Sequence, residues 1–238
     1  MNMRYFTLSA LVLVFGLTNL STAQEMPGAE AYGVHAINGS DLGLDVALPV
    51  DIAIDGNCAL PNVTFQDISE PLPVPPGISR TEVRLADAAM PCGGALVLAS
   101  DVPLALFDNA AVVAHLTAEG AITATKFNND LRAIAPNQTR VVFRHTADAP
   151  AVDVVAQTDG GTETILFSNV ANGAQAVTMV PSGTYQVAVR PAGSDATVLG
   201  PLSVTLQPQT VAVIYAVGSA TTDPASLDAL VQELMPTP

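Results

Sequence analysis

The residues able to do chemistry are few in this chain. It has two cysteines, Cys58 and Cys92, and three histidines, His35, His115 and His145. A cysteine-based metal site would want more Cys or His close by in sequence, and no such cluster exists. A catalytic thiol is the other rival. In an exported chain an even cysteine count reads as a disulfide, so Cys58 and Cys92 are expected to be bonded. No Gly-Xaa-Ser-Xaa-Gly elbow, phosphate loop or His-Glu-Xaa-Xaa-His is present.

His35 and His145 end matching segments, and each leads through a loop to a matching acid, Asp51 or Asp153. Paired carboxylates with an imidazole could do acid–base work. A group needed for chemistry has little reason to occur once per copy, whereas a group that closes a turn does. His35, Asp51, His145 and Asp153 are therefore read as structural loop residues. His115 lines up with Tyr215 at an offset of 100 and is read as a core or rim residue. Asp41, Asp45, Asp51 and Asp55 form an acidic stretch. Calcium would take such oxygen ligands, but apolar residues separate the acids and no terminal bidentate Glu follows. A solvated loop is the reading, and no metal or cofactor is expected.

Composition limits what these residues can serve. The chain has 238 residues, 49% hydrophobic and 13% charged, with 8 basic against 22 acidic side chains for a net −14. Binding to phosphate needs a basic face, so nucleic acid is excluded as a partner. Eighteen Pro and seventeen Gly without a period suit a turn-rich, all-β chain.

Residues 1–23 read as a secretory signal peptide. Arg4 supplies the charge, Phe6 to Leu17 the apolar run, and Ser21 and Ala23 the small residues before a cut at Gln24. The run is too short for a membrane span of ~20 residues. The protein is thus expected to be secreted, to the periplasm or beyond, with no transmembrane segment.

The rest looks duplicated. Val34-His35-Ala36 leading to Pro49-Val50-Asp51 is answered by Arg144-His145-Thr146 leading to Pro150-Ala151-Val152-Asp153. Val63-Thr64-Phe65 is set against Ile165-Leu166-Phe167, and Pro75-Pro76-Gly77 against Pro181-Ser182-Gly183. Val102 to Leu106 and Val112 to Leu116 are set against Leu202 to Leu206 and Ala212 to Ala216. Tyr185, Val187 and Val189 alternate with polar or small residues, and Val141 and Phe143 with Arg140, Val142 and Arg144. Period two with one polar side predicts half-buried strands. The fold expected is two tandem immunoglobulin-like or related β-sandwich modules, of six or seven strands each. A short N-terminal segment, 24–30, precedes the first module, 31–117. A linker, 118–138, that has room for one edge strand leads to the second module, 139–222. In the tail, 223–238, Asp223-Pro224 and the stripe Leu227, Leu230, Val231, Leu234 predict a short helix, with a strand as the alternative.

Arg144-His-Thr-Ala-Asp-Ala-Pro-Ala-Val-Asp153 and Pro181-Ser-Gly-Thr-Tyr-Gln-Val-Ala-Val-Arg-Pro-Ala-Gly193 resemble the domain of unknown function 4397. In the first copy, His35 to Asp45, Leu48 to Asp51, Cys58 to Leu60, Pro91 to Gly94 and Val112 to Gly120 resemble its longer variant, as does Phe127 to Leu131 in the linker. The likeness covers about residues 31–218. It implies a secreted or surface-exposed microbial protein with tandem modules, and it transfers no catalytic residue. Ile78 departs from the pattern, which has an aromatic residue after the glycine.

The expected function is that of a secreted, non-catalytic binding or structural component of the cell envelope or extracellular space. Its partner would be a protein or glycan outside the cytoplasm. The alternative is an extracellular hydrolase using His145 with Asp148 or Asp153.

Overall fold

The computed structural model describes residues 28–158 and 160–237. The expected signal peptide, and residues 24–27 after it, lie outside them. The first half of the chain supplies eight strands: β1 Ala29–His35, β2 Val50–Ile54, β3 Asn57–Val63, β4 Leu72–Val74, β5 Gly77–Leu85, β6 Leu96–Leu104, β7 Asn109–Leu116 and β8 Ile122–Asn128. The second half supplies eight more: β9 Gln138–His145, β10 Val152–Thr158, β11 Thr164–Val170, β12 Gln175–Pro181, β13 Gly183–Pro191, β14 Leu199–Leu206, β15 Val211–Val217 and β16 Asp228–Leu234.

They form four sheets, in orders β4-β1-β7-β8, β3-β2-β5-β6, β12-β9-β15-β16 and β11-β10-β13-β14. Adding eight to each number of the first two orders gives the last two. In both halves the first strand runs parallel to the seventh and antiparallel to the fourth. The protein is therefore all-β, with two sandwiches of one topology.

The sheets stack in four layers. Val50, Ile52, Val63, Val83 and Leu116 fill the first sandwich, and Val154, Phe167, Val187, Phe143 and Ile214 the second. A third core lies between the sandwiches. It joins Val34, Ala36, Val113 and Phe127 to Val142, Val213, Tyr215 and Val217. The central strands β7, β9 and β15 of the two inner sheets are thus covered on both faces, while the outer strand β12 keeps Val177 and Met179 exposed. This corrects the half-buried reading of Val141 to Arg144, because β9 is buried from Thr139 to His145. Successive side chains point to opposite faces. Val141, Phe143 and His145 enter the second sandwich, and Arg140, Val142 and Arg144 face the first.

The chain's last segment differs from the expected helix. Pro224–Ser226 form one 3-10 turn behind Asp223, and β16 follows. The spacing of Leu227, Leu230 and Leu234 fits a helix, but the open edge of β15 takes the segment as a strand over seven register positions. Tertiary pairing outweighs local pattern here. Likewise β8, inside the stretch expected to connect the modules, is the eighth strand of the first sandwich and pairs with β7 over seven positions.

The ladders also correct the repeat's register. His35 lies beside Ala114, and His145 beside Ala216. Gly77 lies beside Leu104, and Gly183 beside Leu206. Strands β6 and β7 are thus related to β14 and β15 by 102 residues rather than 100. Val113, not His115, corresponds to Tyr215. Val50 pairs with Val63 and Val152 with Val170, so Leu60 rather than Phe65 corresponds to Phe167. The two-residue slip of β6 and β7 keeps every side chain on its face, so hydrophobic pattern alone does not detect it; Phe65, five residues off, packs in the junction core instead.

Candidate functional site

His35 and His145 are 2% and 0% exposed and sit at the ends of β1 and β9. His35 Nε2 lies 3.1 Å from the Leu48 carbonyl, and His145 Nε2 lies 2.8 Å from that of Pro150. Each carbonyl is three residues before the matching aspartate. With its proton on Nε2, the ring donates to that carbonyl. In His35 the Nδ1 atom then accepts from the Ile37 N–H at 3.4 Å. Burial pushes both rings below the ordinary histidine range, with the backbone bonds opposing it. They are neutral near pH 7.

Asp51 and Asp153 also match. Asp51 accepts from the N–H groups of Asn62 at 2.8 Å, Cys92 at 2.7 Å and Asp87 at 3.4 Å. Asp153 accepts from Asn169 at 2.7 Å and Gly193 at 2.9 Å. Asn62 and Asn169 have φ of 57° and 53°, Cys92 and Gly193 of 60° and 72°. Both asparagines lie where the pairing register of β3 or β11 shifts. Each carboxylate therefore pins a bulge on one side and a left-handed loop residue on the other. Burial works to raise Asp51, but its three N–H donors outweigh it and hold the carboxyl below the usual range. Gly193 and Asn169 lower Asp153 in the same way. The asparagines escaped the sequence reading. Their signal was Asn-Val in both copies, Asn62-Val63 and Asn169-Val170.

Among the described residues the side chains named for the hydrolase alternative are not bonded to one another: neither Asp148 nor Asp153 bonds to His145. Asp148 is 2% exposed and takes the hydroxyls of Ser219 and Thr221. The acidic stretch does not converge either. Asp45 caps the Ala47 N–H, Asp55 takes the Arg80 N–H, and Asp51 is spent on its bulge. Asp41 and Asp51, 9% and 2% exposed, are not solvated; Asp41 takes a hydroxyl of the second module, from Ser226. Among the described residues no three His, Cys, Asp or Glu side chains are grouped to hold a metal ion.

His115 points from β7 toward the second module. Its Nδ1 bonds to the Leu116 carbonyl and its Nε2 to Thr125 Oγ1, both at 2.8 Å. Asn172 of the second module donates to that same Leu116 carbonyl.

Cys58 and Cys92 are bonded, with Cα atoms 5.6 Å apart. The bond ties β3 to the loop between β5 and β6, where Asp51 holds Cys92. Replacing both by Ser is expected to cost roughly 3–4 kcal/mol in the chain-entropy view. Denaturant unfolding of the first module checks this; an unchanged midpoint would show that the loop stays closed without the bond.

His145→Ala and His35→Ala are each expected to cost roughly 1–3 kcal/mol, since each strands a buried carbonyl. Unchanged denaturant midpoints for both would reopen a ligand or catalytic role.

One surface separates the two copies. In the first, Lys126 of β8 reaches the Pro103 carbonyl of β6 and pairs with Asp108, both at 2.7 Å. By ladder position Val231 of β16 stands where Lys126 does. There a groove of about 220 Å³ opens between β14 and β16, lined by Phe143, Val189, Leu199, Val204 and Val231, with Ser203 as its polar residue.

Fold and site together define a tandem β-sandwich protein whose repeated His and Asp side chains are spent on its own loops. The family model described as Domain of unknown function (DUF4397) matches residues 33–155, about half of the chain, and the protein belongs to that family. No curated protein matches it.

Proposed function

We propose that this is a non-catalytic, exported binding or structural protein, acting on a protein or glycan partner outside the cytoplasm. The observation that carries the reading is the doubled use of His and Asp. Both imidazoles bond a loop carbonyl and both carboxylates bond backbone N–H groups, so none of these four side chains is paired with a nucleophile. The disulfide supports an oxidising compartment. Among the described residues no helix is long and apolar enough to cross a membrane.

The apolar groove between β14 and β16 supports binding over hydrolysis, because a hydrolytic site needs convergent polar groups. Its chemistry suits an aliphatic or aromatic side chain of a protein better than a glycan, whose hydroxyls would meet little besides Ser203. The test is binding by the folded, disulfide-bonded protein to extracellular proteins and glycans of its native cells, alongside assays on ester, peptide and glycoside substrates. Partner binding that Val231→Lys abolishes, with folding kept, supports the reading. Turnover that His145→Gln abolishes, with stability kept, establishes the hydrolase instead.

A further inference from the structure

At one end of the junction between the modules three carboxylates approach one another from three loops. Asp41 lies in the 3-10 turn Gly39–Leu42 of the first module. Asp148 follows β9, and Asp223 caps the 3-10 turn before β16. Hydroxyls link them across the junction. Ser226 Oγ donates to Asp41 Oδ1 at 3.0 Å and accepts from the Ser219 N–H at 2.9 Å. Ser219 Oγ donates to Asp148 Oδ2 at 2.9 Å, and Thr221 Oγ1 donates to the same oxygen. Ser40 Oγ lies 2.9 Å from Asp223 Oδ2.

The donors run out before the acceptors do. Asp41 Oδ2 and Asp148 Oδ1 are both buried without a hydrogen-bond partner. Among the described residues no Lys, Arg or His forms an ion pair with any of the three acids. A buried carboxylate that lacks a counter-charge lowers its free energy by taking up a proton. A metal ion would want more carboxylates at closer quarters than are grouped here.

We infer that the folded protein holds a proton on Asp41 in acid, and that losing it as pH rises weakens the hold between the modules. The groups facing Asp41 agree. Burial raises its pKa, the Ser226 bond opposes this, and the negative charges of Asp223 and Asp148 raise it further. Among the described residues no positive side chain pairs with it. A carboxyl raised on folding contributes stability that is complete below the ordinary Asp value of about 3.9. That contribution is lost as pH climbs through the higher folded value.

His35, His115 and His145 are all lowered by burial and pull the other way as pH falls. The readout is therefore a difference. Denaturant unfolding of the full chain is compared with Asp41→Asn from pH ~4 to 8, since the amide keeps a donor without the charge. Asp195→Asn serves as an exposed control. Asp41→Asn should be the more stable form at pH 8. Its advantage should shrink on acidification, by up to about tenfold in the folding constant per pH unit. An advantage that does not change with pH, or a less stable Asp41→Asn at pH 8, overturns the inference. Should that variant not fold, infrared spectra of the wild-type chain decide: a protonated-carboxyl band that outlasts the titration of the exposed acids as pH rises is expected, and its absence overturns the proposal. Calcium that stabilises the wild-type chain at pH 8 but not Asp41→Asn would assign the site to a cation and overturn it too.

Discussion

A chain ended after Thr222 is expected to lose cooperative folding of its second half. The cut removes β16, which pairs with β15 from Val211–Leu234 to Val217–Asp228. β15 is buried along its whole length, with sandwich core on one face and the module junction on the other. Without β16 the backbone groups of β15 that it pairs become an open sheet edge, and the junction face of β15 loses the cover of Leu230 and Leu234. Tyr215 would also lose Gln232, which accepts its hydroxyl at 2.8 Å, and Leu234 would leave the shared core. The loss should exceed ~5 kcal/mol, the lower end of a domain's total stability. Circular dichroism melts compare this chain with one ended after Met235. An unshifted cooperative melt would mean that β16 is only an appendage.

Arg144→Ala should be the most damaging single substitution, at about 3–5 kcal/mol. Arg144 is 0% exposed, yet among the described residues no carboxylate bonds to it. Its Nη1 donates to Tyr215 Oη at 2.8 Å, its Nη2 to Asn129 Oδ1 at 2.6 Å and its Nε to Gln175 Oε1 at 3.2 Å. The guanidinium carbon lies 5.0 Å from the Phe127 ring centre and 5.2 Å from that of Tyr215. Facing an aromatic ring attracts a cation, more so when it is desolvated. Phe127 and Asn129 come from the end of the first module, so this one side chain rivets the two halves together. Arg144→Lys should not rescue it, because an ammonium keeps the buried charge and loses the planar fork. Denaturant unfolding followed separately in each module checks both variants. A cost under ~1 kcal/mol would mean that water replaces the guanidinium.

Arg144 also shows where sequence reading stops. Alternation of Arg140, Val142 and Arg144 with Val141 and Phe143 marks a strand, and β9 is one. The same pattern implies a wet face, because arginine is rarely buried. Only the neighbouring module dries that face, and no local pattern reports it. The duplication was legible because turns and acids recur in order, as with Gly77 and Gly183, or Asp51 and Asp153. The pairing of Asp51 with Asn62 was not, since it depends on a bulge that exists only once β2 and β3 have met. The tail failed for the opposite reason. Its leucine spacing is a true helical signal, overruled by an edge formed elsewhere in the chain.

The parallel pairing of each module's first and seventh strands, with the eighth returning beside the seventh, gives the molecule a direction. Asn109, which follows the turn into β7, bonds to Glu30 near the start of β1 and to Asn129 just after β8. At the other terminus Thr237 donates to the Leu131 carbonyl. Gly28, Leu131 and Thr237 line one cleft. Both ends of the described chain and the crossing between its halves thus share a pole. The far pole carries the His35 and His145 loops and the Asp41–Asp148 junction. A carrier joined directly at Gly28 or at Thr237 would hold the molecule by the same pole and display the same acidic loops outward, so reporter tags placed at those two residues should mask the same surface.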